Sequence, residues 1–120
     1  MNEINLRNYA HLGDAVWELF VREITILQTQ NAKELHKLTT DKVNAKFQHQ
    51  LLIEIQGKLT EEELEIVRRG RNLPVPVARK SNQGDYRMAT AFETLIGWWY
   101  KNDTKRLDEI FVEIRKIFNK

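Results

Sequence analysis

The chain contains no cysteine in 120 residues, which removes disulfides, thiolate metal sites and cysteine nucleophiles together and leaves no call for an oxidising compartment. Glycine and proline are scarce, at five and two residues, so the tight turns that a β-rich fold needs have few residues to build them. The longest uncharged apolar run is 95-LIGWWY-100, far short of the roughly 20 residues that span a bilayer as a helix. The start, MNEINLRNYA, has neither the basic opening nor the apolar stretch of a secretory signal. These absences lead to the expectation of a cytoplasmic protein with no membrane segment, and the length suits a single domain.

Neither sign of charge dominates, since 19 Lys and Arg oppose 17 Asp and Glu. Their placement is uneven. Residues 54–65 carry five glutamates against one lysine, whereas residues 68–87 carry Arg68, Arg69, Arg71, Arg79, Lys80 and Arg87 against Asp85 alone. Positive potential gathered on one loop and its flanks suits an anionic partner, although a solvated basic loop would have the same composition.

What remains is dominated by helix formers and predicts an all-α fold. Apolar residues at 12, 15, 16, 19, 20, 24, 26 and 27 place a helix over residues 9–28. Asn31 reads as the cap of a short helix through Thr40, and Asp41 as the cap of the next, to about Gln56 and Gly57. Thr60 with Glu63 forms a capping-box pattern ahead of a helix that Gly70 is expected to close. The segment 71-RNLPVPVARKSNQG-84 reads as loop because Pro74 and Pro76 do not fit inside a helix. Asp85 and Asp103 then read as the caps of the last two helices. No repeat or linker divides the chain.

The first long helix is apolar over too wide an arc. Leu12, Val16, Leu19, Phe20 and Leu27 form one face, and Trp17, Val21 and Ile24 extend it, to roughly twice the stripe of about 100° that a surface helix shows. Burial on two sides follows, and in so small a domain the second side is best covered by another copy of the chain, most simply in a symmetric dimer. Glu23 points into this stripe and would need a partner if buried.

Asp14 lies away from the main apolar face with Ala10, Gly13 and Ala15 around it, and Glu93 has Ala89, Thr90 and Gly97 one turn away on either side. Small neighbours leave room beside a carboxylate for a hydrated Mg²⁺, which takes oxygen ligands and keeps several waters. The plainer alternative is a helix-start charge favoured by the macrodipole and a solvated edge residue. His11, His36 and His49 show no ligand spacing, and Trp98, Trp99 and Tyr100 stand beside Leu95 and Ile96 as core or interface residues.

The same residues carry a resemblance. The segment 12-LGDAVWE-18 with 90-TAFETLIGWWY-100 resembles the two signature helices of the ribonuclease III catalytic domain, an all-α endonuclease fold. The segments 66-IVRRGRN-72 and 86-YRMATAFETLIG-97 resemble more narrowly the Mini-III ribonucleases, which keep that domain without the appended double-stranded RNA-binding domain. The likeness covers about residues 6–115, with the motifs in the family's order and separation. It implies a homodimeric ribonuclease III-like helical bundle, a single catalytic domain over residues 1–120, that cleaves double-stranded RNA with Mg²⁺, for which Mn²⁺ can substitute.

By resemblance, Asp14 and Glu93 are the catalytic, metal-holding acids. Arg68, Arg69, Arg71 and Asn72 belong to a basic turn that meets RNA, and the following loop, with Arg79 and Lys80, reaches into a groove of the duplex. The implied substrate is the precursor of bacterial 23S ribosomal RNA, with the need for a ribosomal protein left open. Larger ribonuclease III enzymes carry further acids where this chain has Arg7, Ala10 and Thr90. That depletion also marks the compact relatives, and it keeps open a second reading, a non-catalytic RNA-binding or ribosome-assembly module on the same fold.

Overall fold

The computed structural model describes residues 4–76 and 83–119. Among the described residues the regular structure is helical: α1 (Leu6–Thr25), α2 (Ala32–Val43), α3 (Ala45–Ile55), a 3₁₀ turn (Gln56–Lys58), α4 (Glu61–Arg71), α5 (Gln83–Asn102) and α6 (Thr104–Phe118). None of these helices is long and apolar enough to cross a membrane.

Local chemistry accounts for most of the boundaries. Asn5 accepts from the Arg7 amide at 2.8 Å and starts α1 three residues ahead of the periodic pattern. Asn31 caps α2 as expected, accepting from the Glu34 amide at 2.9 Å. The next boundary is Asn44, not Asp41. The Asn44 side chain accepts from the Phe47 amide at 2.9 Å while its amide donates to the Thr40 and Asp41 carbonyls, so one residue ends α2 and begins α3. An aspartate, which only accepts, serves one side of such a junction; Asp41 instead pairs with Lys37 inside α2, at 3.2 Å.

The capping box at α4 is formed in both directions, Thr60 with the Glu63 amide and Glu63 with the Thr60 amide. Gly70 does not close α4, which continues to Arg71 with Asn72 as its cap. Its smallness serves packing, since a Cβ there would lie 2.9 Å from Thr94 Oγ1 and 3.1 Å from Ala91 Cα on α5. Asp85 sits within the first turn of α5 and does not precede it; its carboxylate is 2.7 Å from His49 Nδ1 on α3. Asp103 caps α6 as expected, accepting from the Arg106 amide.

α5 runs through the middle of the bundle, packed against α1, α3, α4 and α6. Phe92, Leu95, Ile96 and Trp99 of α5 are fully buried with Trp17 and Val21 of α1, and Leu51, Leu52, Ile55, Ile110 and Ile114 complete the core. Each such side chain contributes about 1.5–3 kcal/mol by leaving water. Trp17 meets Phe92 edge-on at 5.0 Å, and its indole N–H donates to the Lys42 carbonyl at 2.9 Å, tying α2 to the core. Thr25 and Thr39, both buried, join α1 to α2 through their hydroxyls at 2.9 Å.

The wide apolar arc of α1 divides into a buried and an open side. Trp17, Phe20 and Val21 face the core, while Leu19 is 60% exposed in the single chain and Glu23 is exposed as well; α1 ends at Thr25, short of the expected residue 28, so Leu27, 84% exposed, lies in the turn beyond it. Val16, Leu19 and Phe20 line a groove of about 460 Å³ with Tyr100, Leu107 and Phe111. Trp99 is core, as expected, and Tyr100 faces this groove.

Candidate functional site

The two acids singled out from the sequence are brought together by glycine. A Cβ on Gly13 would fall 1.8 Å from the Glu93 carbonyl oxygen, and one on Gly97 would fall 1.9 Å from the Tyr9 carbonyl oxygen. α1 and α5 therefore touch backbone to backbone at these two positions. Residue numbers fall along α1 as they rise along α5, so the helices are antiparallel. Gly13 and Gly97 thus do a different job from the one their sequence setting implied: the space they free is filled by the opposite helix. The close approach brings Asp14 near enough for its carboxyl group to act on that of Glu93.

Asp14 is exposed and Glu93 half-buried. Burial, followed by the charge and hydrogen bond of Asp14, raises the Glu93 carboxyl to about pKa 8; the charge of Glu18 adds to this, and a hydrogen bond from Gln48 opposes it. Gln48 Nε2 donates to Glu93 Oε2 at 3.3 Å. Raised to about 8, the Glu93 carboxyl keeps its proton at neutral pH. Among the described residues no basic side chain offsets this shift, and an acid raised so far is a candidate functional group.

The positions where larger relatives by resemblance carry acids are otherwise occupied. Arg7 Nη2 donates to the Pro74 carbonyl at 2.9 Å and fixes the root of the loop after α4, Ala10 is buried, and Thr90 Oγ1 donates to the Tyr86 carbonyl at 2.9 Å. Among the described residues no group of three or more His, Cys, Asp or Glu side chains gathers to hold a metal ion. The acids that act on one another here are Asp14 and Glu93, with Glu18 as a further charge. His11 is on the surface and His36 is exposed.

Arg68, Arg69 and Arg71 form the exposed last turn of α4, where cations suit the negative end of the helix dipole. Arg68 is engaged by Glu65 through two hydrogen bonds, and the Arg71 carbonyl accepts from Arg87 Nη1 at 3.4 Å. The Asn72 amide donates to the Arg68 and Gly70 carbonyls, so its backbone finishes the helix. The basic turn is one exposed cluster; Arg79 and Lys80 lie outside the described residues.

Sequence reasoning did not find Gln48 or Glu18. A clue to Gln48 was present: it occupies the stripe of α3 that also holds Leu51, Leu52 and Ile55, where a polar side chain needs a partner.

The helical bundle belongs to a known class of nuclease domain: residues 7–104 match the Ribonuclease III domain. A crystal structure of a protein from Fusobacterium nucleatum superposes with a TM-score of 0.83 at 31% identity, over 96% of this chain and 94% of the other. A Mini-ribonuclease 3 of Synechocystis sp. is 39% identical over 105 residues, 88% of this chain and 73% of the relative. One of Clostridium tetani is 38% identical over 122 residues, 98% of this chain and 81% of the relative. The chain belongs to the Mini-ribonuclease 3 family, and it is an endoribonuclease of the ribonuclease III type.

Proposed function

We propose that this chain is a homodimeric, Mg²⁺-dependent endoribonuclease of the cytoplasm that cleaves double-stranded RNA through Asp14 and Glu93, and that its substrate is the 23S ribosomal RNA precursor. The observation that carries the reading is the meeting of these two carboxyl groups, from separate helices held in backbone contact, with no cationic side chain among the described residues acting on Glu93. Their chemistry fits a hard divalent ion: oxygen donors only, two carboxylates, and one side open to solvent for retained waters. Bound there, Mg²⁺ or Mn²⁺ supplies an activated water and neutralises the charge that develops on the phosphate.

The protein's own groups set the conditions for that chemistry. The backbone contact at Gly13 and Gly97 holds Asp14 and Glu93 in register without relying on flexible side chains. The exposed position of Asp14 faces it to substrate, and the partial burial of Glu93 favours its protonated form; with Asp14 it would hold a divalent ion as the carboxylate. Arg69 and Arg71, with Arg68 and Asn72 in the same turn and Arg79 and Lys80 in the loop beyond, give the phosphates of a duplex a basic surface. Recognition through phosphates and 2′-hydroxyls suits A-form RNA, whose deep major groove side chains do not read. The apolar groove between α1 and α6, with Leu19, Tyr100 and Val112 about half exposed or more, supports pairing with a second copy, which would set two sites over opposite strands. Any help from a ribosomal protein in shaping the substrate would act on the RNA.

The decisive experiment is cleavage of a defined RNA duplex with and without EDTA, in wild type and Asp14→Asn. We expect cleavage to need the divalent ion and to fall more than about 100-fold in the variant, beyond the loss usual for residues that only support metal ligands, with duplex binding and sedimentation as a dimer retained. Undiminished cutting by Asp14→Asn would remove the acid pair from the reaction.

A further inference from the structure

Gln48 is a buried amide that the packing of α3 does not explain. It is 2% exposed and shares its helix stripe with Leu51, Leu52 and Ile55. An apolar residue of the same volume would pack there without the cost of about 1–3 kcal/mol that a buried polar group carries unless it is hydrogen-bonded. Its Nε2 reaches across to α5 and donates to Glu93 Oε2 at 3.3 Å. Glu93 is thus contacted from two helices, by an acid on α1 and by an amide donor on α3. The terminal torsion of a glutamate is soft, and a donor fixed by its own burial restricts it.

We propose that Gln48 is a positioning residue for the reaction: its amide fixes the Glu93 carboxylate in the orientation in which Glu93 and Asp14 together hold the divalent ion. The inference rests on the reading of Asp14 and Glu93 as the metal-holding acids. Hydrogen-bond partners of ligating carboxylates orient the ligand, and their loss commonly lowers metal affinity or activity by about 10–100-fold.

The test uses Gln48→Met and Gln48→Leu in the full chain, both close in volume and neither able to donate. Mn²⁺ binding without RNA is read from the electron paramagnetic resonance signal of the free ion, beside kcat and KM on a duplex and the helical melting curve. We expect Mn²⁺ affinity to fall about 10-fold and kcat to fall by about 10–100-fold, with KM for duplex and cooperative melting unchanged. Wild-type Mn²⁺ affinity and kcat in a folded variant would overturn the inference, as would failure of both variants to fold, which would make Gln48 a packing residue first. Glu93→Gln is measured alongside. If it too binds Mn²⁺ and cleaves like wild type, the reading of the acid pair falls; if it fails while both Gln48 variants behave normally, only the role of Gln48 falls.

Discussion

Glu63 and Glu93 are the same residue type on neighbouring helices, and the fold treats them in opposite ways. Glu63 is 4% exposed, and burial alone would push its carboxyl up, yet it sits at about pKa 2 because Arg106, the Thr60 amide and the Trp99 indole all donate to it and the Arg106 charge adds to them. Arg106 Nε and Nη2 reach the two Glu63 oxygens at 2.9 Å each, and the Trp99 N–H does so at 2.8 Å. Glu93 receives one amide and a second acid, and moves to about pKa 8. The protein neutralises the carboxylate that holds α4, α5 and α6 together, and among the described residues it gives the other no cationic partner. Full pairing of charge goes with a structural role at Glu63, whereas Glu93 is left beside a second acid.

That contrast can be broken from the structural side first. Arg106→Met removes the cation and leaves Glu63 as a buried acid with neutral partners only. We expect a loss of about 3 kcal/mol at pH 7 in urea denaturation, the low end for a broken buried pair because Arg106 is partly solvated. The sign with pH is fixed: a carboxyl held below its unfolded value contributes stability above about pH 4.5 and loses it as pH falls toward about 2. The deficit of the variant is therefore largest near neutrality and shrinks in acid; a deficit constant from pH 7 to 3 would mean that Arg106 acts by packing alone.

From the other side, Gly13→Ala forces α1 away from α5, because its methyl group would lie 1.8 Å from the Glu93 carbonyl oxygen. Overpacking of this kind typically costs about 1–3 kcal/mol. Cleavage should fall along with stability, since Asp14 is carried away from Glu93. A variant that melts early yet cleaves at the wild-type rate below its transition would show that the close helix contact is not what aligns the acids.

The smallest effect sharpens the comparison on Glu93 itself. A carboxyl raised above its unfolded value contributes stability below about pH 4.5 that is lost as pH rises through about 8. In EDTA, wild type should weaken across that window while Glu93→Gln does not, so that above pH 8 the variant is the more stable, by about 1–2 kcal/mol after allowing for partial solvation. Thermal melts at pH 5 and pH 9 read the difference. Parallel behaviour of the two proteins would mean that Glu93 ionises without hindrance.

Much of the fold can be read residue by residue. The capping box at Thr60, the caps at Asn31 and Asp103 and the loop at Pro74 and Pro76 depend on chemistry within one turn, and they stand where the pattern placed them. The errors also have local causes. Asp41 and Asn44 are both good cap residues three apart, and Asn44 prevails because it can donate backwards and accept forwards. Gly70 looks like a terminator and is a contact point, a distinction that depends on α5 crossing above it. Asp14 and Glu93, which the fold brings together, stood out in the sequence through their motifs, whereas Gln48, which donates to Glu93, was hidden among leucines on a helix with no motif.

The amino-acid order by itself determined an all-α chain, the approximate extent of its helices and two acids set among small residues. Those features follow from interactions that span three or four positions. Only the tertiary structure decided that Asp14 meets Glu93, that Arg106 neutralises Glu63, and which side of α1 is buried and which left open. The cause is physical: a carboxylate's state depends on charges and solvent within a few ångströms in space, and helices distant in the chain supply them only once the core has packed.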